Sequence, residues 1–257
     1  MEEHTVALPF RDAVPAKRSM FNRDFVLMWQ GAFLSYFGDI IYGLAISYWV
    51  LQTTGSTALM GTSAAMASLP RVLLSPFAGA LADRFDRKNI LAATNLFRGI
   101  LMFIMAFLTY QNLLSVQFVI FTAFVLSAGG VFASPCIVSI IPELVEKEDV
   151  VRANSIRSAS FSVVDLAGNG VGGFLVSILG VPLLILLNAI SFIYYYISLL
   201  FVKVPHRTLS VEFQKKNLWV DLKEGVIEFF QNIGLRNTLI GFMMANFFTA
   251  RSEERRV

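Results

Sequence analysis

Long apolar runs, separated by short breaks at glycine, proline or charged residues, dominate the pattern of the chain. A helix needs about 20 residues to cross the roughly 30 Å hydrocarbon core of a bilayer. Runs of this length lie at 25–51, 57–82, 89–110, 114–141, 154–179 and 181–202. The breaks include Thr54-Gly55-Ser56, Pro142 and Gly180-Val181-Pro182. Because lipid offers no partner for unpaired backbone groups, each run is predicted to be a membrane-spanning helix.

The composition agrees with an integral membrane protein and excludes several other classes. The chain is 56% apolar and 15% charged, with a mean hydropathy of +0.64, whereas soluble domains carry about a quarter charged residues. This excludes disorder, a coiled coil and nucleic-acid binding. Cys136 is the single cysteine, and a buried, inert thiol is expected. No metal-ligand spacing or phosphate-binding loop is present, so we expect no metal, no cofactor and no enzyme.

Lysine and arginine are concentrated in alternate connections between the runs. They lie in the N-terminal tail and after the second, fourth and sixth runs, whereas the connections 52–56, 111–113 and 180 carry no charge. Cytoplasmic loops of membrane proteins carry an excess of these residues. We therefore expect a multi-pass protein of the cell (plasma) membrane, with its N-terminus and basic loops in the cytoplasm.

Four ionisable residues lie inside the apolar runs, each near the middle of its helix: Asp39, Arg71, Arg98 and Asp165. A charge at a helix centre costs about 3 kcal/mol on insertion scales, so pairing or a shared wet cavity is expected. One interpretation is that the arginines neutralise the acids and lock the bundle. The other is a substrate or proton site, and both can hold if a salt bridge breaks on protonation. Adjacent spans and matching depth predict that Asp39 pairs with Arg71.

The stretch GALADRFDRK at residues 79–88 resembles the G-x-L-A-D-R-x-G-R-K signature of the major facilitator superfamily. The stretch departs from the pattern at Asp86, which stands in place of Gly. This departure resembles the variant of the signature seen in the branch of macrolide and siderophore exporters, which are drug:proton antiporters. We interpret it as a gate loop, carried by Gly79, Asp83, Arg84, Asp86, Arg87 and Lys88. Gly79 is expected to permit close helix approach, and Asp83 to accept from backbone donors at a helix N-terminus. The cations are expected to bind anionic lipid or acids of a partner half.

A second glycine-rich stretch is similar to the antiporter motif G-P-x-x-G-G of the same superfamily. Its glycines are Gly168, Gly170, Gly172 and Gly173, and Asn169 replaces the proline. The alternative is generic packing of small residues between helices. The arginine that the family carries in its fourth span has no counterpart within residues 114–141, and Arg98 is the nearest intramembrane cation.

The resemblance implies an all-α integral membrane fold, the six-helix N-terminal half of a twelve-helix major facilitator fold with the start of a seventh helix. The predicted segments are a cytoplasmic tail (1–24), the bundle (25–202), a cytoplasmic connector with an amphipathic helix (203–236), a truncated seventh span (237–250) and a non-native tail (251–257). This last stretch, RSEERRV, can be encoded by a common sequencing adapter. We therefore expect the native protein to continue beyond it.

The function that the resemblance implies is transmembrane transport by alternating access, with proton-coupled export of amphiphilic small molecules such as a drug or siderophore. Expected partners are the substrate, protons, the lipid bilayer and the missing C-terminal half, and no nucleic acid. The predicted cavity-facing set is Asp39, Arg71 and Asp165, with Phe33 and Tyr36 as apolar contacts. The alternatives are a facilitator without proton coupling and an inactive truncated fragment.

Overall fold

A computed structural model describes residues 20–204 and Gly234, apart from the side chain of Asp83. The predictions for most of the N-terminal tail, the amphipathic connector, the seventh span and the non-native tail lie outside these residues. The described part consists of α1 (Arg23–Thr54), α2 (Thr57–Arg84), α3 (Arg87–Tyr110), α4 (Val116–Leu144), a 3₁₀ turn (Lys147–Asp149) and α5 (Val150–Phe201). Each of these five α-helices is long and apolar enough to cross a membrane. The predicted all-helical membrane fold is confirmed.

A break at Gly180 divides α5 into two helical segments, which account for the fifth and sixth predicted spans. Gly180 has φ 71° and ψ 161°, a backbone conformation that is not helical and that favours glycine. Pro182 follows, and it lacks the N–H that a continuous helix would use. We call residues 150–179 α5a and residues 181–201 α5b. Six crossing segments therefore result, as the apolar pattern predicts.

Side-chain caps explain where the helices begin. Asn22, Ser56, Asp86 and Ser115 each accept a hydrogen bond from the backbone amide three residues further along. A cap of this kind contributes about 1 kcal/mol to a helix. At α3 the acceptor is the carboxylate of Asp86, 3.0 Å from the amide nitrogen of Asn89. The residue that departs from the family pattern therefore has a local structural role.

The hydrophobic core is divided into two clusters, one toward each end of the bundle. On α1 one cluster holds residues between 25 and 32 and the other residues between 41 and 50. On α3 the corresponding groups lie at 91–92 and 102–106. The gaps between them contain Asp39 and Arg98, so the ionisable residues lie between two apolar clusters. We call the end where α1, α3 and α5 begin and α2 and α4 end the basic end, because it carries the cations of the gate loop.

Candidate substrate and coupling site

An ion pair between α1 and α3 forms the centre of the candidate site. Arg98 Nη2 donates to Asp39 Oδ2 at 2.8 Å, and the side chains are 13% and 31% exposed, respectively. From α5b, Asn188 Nδ2 donates to the other carboxylate oxygen at 3.3 Å. Two donors from two helices therefore compensate the charge of Asp39, as buried ionic groups require.

The predicted pairing of Asp39 with Arg71 is wrong. Arg71 forms no ion pair within the part of the chain that the structure describes, although its side chain lines the same cavity as Asp39. The reason is that α2 packs mainly against α4 rather than against α1, its neighbour in sequence. Arg98 of α3 reaches Asp39 instead, and α1 and α3 both pack mainly against α5.

Two glycines and an aromatic ring position the ion pair. A Cβ at Gly129 would lie 3.0 Å from Arg98 Cδ, so the glycine leaves space for the arginine stem. The guanidinium carbon of Arg98 lies 4.1 Å from the ring centroid of Phe192, which is a cation–π contact. A Cβ at Gly38 would overlap Asn188 Oδ1 in the same way. The orientation of both donors therefore depends on the absence of side chains at these glycines.

The second acid, Asp165, is connected to this site through Tyr36. The Tyr36 hydroxyl donates to Asp165 Oδ1 at 2.7 Å, and its ring stacks on Phe161 with centroids 4.6 Å apart. Arg157 Cζ lies 4.9 Å from the Phe161 centroid. Because Tyr36 and Asp39 are three residues apart on α1, they share one helix face. Asp165 is not among the residues that line the cavity beside Asp39, and it is linked to that cavity through Tyr36.

A cavity of about 720 Å³ opens beside the ion pair and is lined by all five helices. This volume is within the range of small-molecule sites, about 300–1,000 Å³. Its lining combines charged groups with hydroxyl and apolar side chains, including those of Asp39, Arg71, Arg98, Tyr36, Phe161, Arg157, Ser139 and Tyr195. Since Leu91, Ser139 and Arg157 lie close to helix ends, the cavity extends from the central ion pair toward the basic end.

Three of the polar side chains at this site are absent from the site predicted from the sequence. Asn188 interrupts an otherwise apolar run, so the same criterion that selects intramembrane charges could have found it. Arg157 is visible only as a cation near a predicted helix start, and Tyr195 as one of several aromatic residues. Their shared location depends on how α5a and α5b pack against the other helices.

The gate loop binds to other helices of the same bundle. Arg87 Nη1 forms an ion pair with Glu143 Oε1 of α4 at 2.8 Å, and its Nε donates to the carbonyl of Ala82 at 3.2 Å. Lys88 Nζ donates to the carbonyl of Val202 at 2.7 Å, at the end of α5. The predicted close helix approach at Gly79 is wrong within the described bundle, because none of the described residues lies within 4 Å of a Cβ placed there.

The glycine-rich stretch of α5a presents two different faces. A Cβ at Gly168 would lie 2.7 Å from Ile40 Cγ2, and one at Gly172 would overlap Leu44, so this pair of glycines packs against α1. Gly170 and Gly173 are exposed, and no atom of the described part of the chain lies within 4 Å of a Cβ placed at either. Close helix packing therefore accounts for one half of the stretch only.

Comparisons with known proteins give the family. A model of the family described as transmembrane secretion effector, one of the MFS type, matches residues 17–226. The uncharacterized MFS-type transporter YkuC of Bacillus subtilis is 26% identical over 234 residues, which cover 88% of this chain and 54% of the relative. Macrolide efflux protein A of Streptococcus pyogenes is 24% identical over 219 residues, 85% and 54% of the two chains.

A third relative is also similar. The staphyloferrin A transporter of Staphylococcus aureus is 24% identical over 203 residues, 79% of this chain and 50% of the relative. The chain thus spans about half the length of the curated relatives it matches. These relatives are transporters by name, which agrees with the prediction that the chain is not an enzyme. The family match and the all-helical membrane fold together confirm the resemblance: the chain belongs to the transmembrane secretion effector family of the major facilitator superfamily.

Proposed function

We propose that this chain is the N-terminal half of a plasma-membrane transporter that exports amphiphilic small molecules in exchange for protons. The observation that carries the proposal is the Asp39–Arg98 ion pair in the wall of a 720 Å³ cavity. Intramembrane ionisable groups mark substrate or proton pathways. The names of two relatives, a macrolide efflux protein and a staphyloferrin A transporter, support small-molecule export as the class of activity.

Asp39 is the group that couples protons to transport in this proposal. A proton on its carboxylate removes the negative charge and weakens the charge-assisted hydrogen bond from Arg98. The two protonation states therefore favour different arrangements of α1 and α3, and a substrate that binds one arrangement better shifts the balance between them. Export results when Asp39 takes a proton from the outside while the substrate leaves, and releases that proton to the cytoplasm.

The cations of the basic end support the proposed orientation of the chain in the membrane. Arg84, Arg87, Lys88, Lys147 and Arg152 all lie at this end, beside or between the helix termini. The positive-inside bias places such residues in the cytoplasm, together with the N-terminus. In this orientation the cavity extends toward the cytoplasm, the side from which an exporter takes its substrate.

The missing partner in this proposal is a second six-helix half. α2 and α5a expose small and polar residues along their length: Thr62, Ser68, Ser75, Ser155, Ser162 and Asn169. Several of these side chains bond to carbonyls of their own helix, as Ser68 Oγ does to Ala64 at 3.1 Å. Helix surfaces made of such short side chains favour the close packing of further helices. The greater length of the relatives supports the same assignment.

Flux in proteoliposomes tests the proposal. The whole gene product is reconstituted with a pH gradient, acidic on the side opposite the basic end, and uptake or release of a drug panel is followed. We expect Asp39→Asn to abolish pumping against a gradient while some downhill movement remains. Glu148→Gln, an exposed carboxylate change in the 3₁₀ turn, is the matched control.

Two other outcomes would contradict the proposal. If Asp39→Asn pumps uphill at the normal rate, Asp39 is not the coupling acid and Asp165 becomes the candidate. If the unaltered protein moves substrate only downhill and without dependence on the pH gradient, it is a facilitator and both acids are structural.

A further inference from the structure

Between the central ion pair and the basic end, the cavity is lined by residues with hydrogen-bond donors that lack acceptors. We propose that Arg157, Tyr195 and Arg98 form a subsite there for the anionic group of the transported molecule, so that the substrate class is an amphiphilic carboxylate or similar anion. The inference rests on the proposed transport function, to which it adds the charge of the substrate. It begins from three atoms: Arg157 Nε, Arg98 Nε and the Tyr195 hydroxyl oxygen are buried without a hydrogen-bond partner among the described residues.

Because these donors are buried, their lack of a hydrogen-bond partner is energetically costly. Tyr195 is only 2% exposed, and it lines the same cavity as both arginines. Leaving a buried polar group unpaired costs about 1–3 kcal/mol, and nine in ten or more such groups in native proteins are paired. Three unpaired donors on residues that line one cavity point to an acceptor that the described bundle does not supply.

The charges of the lining select a negative acceptor. Arg71, Arg98 and Arg157 line the cavity, whereas Asp39 is the one acid among the described lining residues. Asp39 is already paired with Arg98. The cavity therefore carries positive charge that no acid in its lining compensates. Arg71 is exposed, but Arg157 is half-buried and has no ion pair among the described residues, and an anion that enters relieves the cost of its charge.

The aromatic residues of the cavity wall indicate which kind of chemical group the substrate carries next to its anionic group. Arg157 lies over the Phe161 ring, and Tyr36 stacks on the same ring. This aromatic surface suits an apolar or flat body next to the charged group. Gly31 leaves the space that the Tyr195 ring occupies, because a Cβ at this position would overlap that ring. Together these contacts fit an amphiphile whose anionic group lies near the basic end.

A matched pair of fluorescent probes tests the subsite. Dansylglycine and dansylcadaverine carry the same fluorophore but opposite charges. Each is titrated against the whole gene product in nanodiscs of zwitterionic phosphatidylcholine. We expect the affinity for dansylglycine to be at least about tenfold higher than that for dansylcadaverine, which is the ratio that one hydrogen bond to a charged group supports.

Three variants separate the subsite from general electrostatics. Arg157→Gln is expected to weaken dansylglycine binding about tenfold. Tyr195→Phe is expected to weaken it several-fold without lowering the thermal stability, since it removes a hydroxyl that has no partner in the described bundle. Arg152→Gln is the matched control, because Arg152 is exposed on the same helix and does not line the cavity. It is expected to leave binding unchanged.

Several results would overturn the proposal. Equal affinity for both probes, or unchanged affinity in Arg157→Gln, removes the anionic subsite. A Tyr195→Phe variant that loses thermal stability but binds dansylglycine normally indicates a water-filled structural network instead, and this variant decides the question if Arg157→Gln does not fold. Displacement of dansylglycine by phosphatidylglycerol added to the nanodiscs would assign the site to a lipid headgroup rather than to substrate.

Flux assays distinguish this inference from the proposed function. If the whole gene product exports dansylcadaverine but not dansylglycine, transport stands and the anionic substrate class is wrong. If it exports neither probe and no member of the drug panel, while dansylglycine binding still depends on Arg157, the subsite stands and the proposed export fails.

Discussion

Asp39 illustrates how the bundle holds a charge in an apolar environment. Its carboxylate accepts hydrogen bonds from Arg98 at 2.8 Å and from Asn188 at 3.3 Å, one on each oxygen. Desolvation of such a pair often cancels its attraction, so its presence contributes little net stability. Loss of one partner is different, because the remaining charge is left without compensation.

The first prediction concerns Arg98. Arg98→Gln should lower the free energy of unfolding by about 2 kcal/mol, somewhat less than the 3–5 kcal/mol known for fully buried pairs, since Asp39 is 31% exposed. The double variant Asp39→Asn with Arg98→Gln should recover most of this loss. Arg71→Gln, which removes no ion pair of the described bundle, should leave stability unchanged.

Cys136 provides the measurement. It is the single cysteine of the chain and is buried, so a thiol-reactive dye reports unfolding when it becomes exposed. Thermal melts of the unaltered chain and the three variants, each synthesised directly into nanodiscs without detergent, give the comparison. If Arg71→Gln is as destabilising as Arg98→Gln, the pairing in the structure does not determine stability.

At the scale of the elements, α1 and α5a pack through small residues. Gly168 meets the β-branched side chain of Ile40, whose Cγ2 and Cβ would lie 2.7 and 3.2 Å from an added Cβ. A β-branched side chain in a helix has few alternative rotamers, so it cannot move aside easily. A Cβ at Gly173, about one and a half turns further along α5a, would have open space around it within the described bundle.

The second prediction compares these two glycines. Gly168→Ala should destabilise the bundle by about 1–3 kcal/mol, the usual cost of overpacking. Gly173→Ala should leave stability unchanged or slightly higher, because alanine is the better helix former. Thiol-dye melts of both variants test the difference. If both variants destabilise the bundle equally, Gly168 and Gly173 pack in the same way, and the assignment of only Gly168 to the α1 contact is wrong.

The third prediction concerns the attachment of the gate loop to α4. Arg87→Gln breaks the ion pair with Glu143, whose side chains are 15% and 23% exposed. We expect a several-fold fall in flux of the whole gene product with normal membrane insertion, because the loop then loses its contact with the end of α4. Lys147→Gln, an exposed cation at the same end, is the control. Normal flux in Arg87→Gln would make the loop a topology signal only.

For the molecule as a whole, the sequence predicts the spans better than it predicts the site. Span ends follow from local features: the predicted start at 57 is the observed start of α2, directly after its Ser56 cap. Ion pairing depends on which helices are neighbours, and the α2–α4 packing that separates Arg71 from Asp39 has no local signature. The donors Arg157 and Tyr195 come together from both segments of α5, so only the packed bundle reveals them.

The last prediction concerns the 257-residue chain on its own. Its α2 and α5a expose small and polar residues, among them Ser68 and Ser162, between exposed large apolar side chains such as Leu166 and Phe174. Lipid satisfies such faces poorly, whereas helices of a second half could pack closely against them. The chain extracted into mild detergent should therefore aggregate and show no flux after reconstitution, while the whole gene product remains monodisperse. Size-exclusion chromatography with light scattering measures this, and co-expression with the C-terminal half as a separate polypeptide should restore a single species. A monodisperse chain that transports without the second half would contradict both the assigned docking faces and the half-transporter proposal.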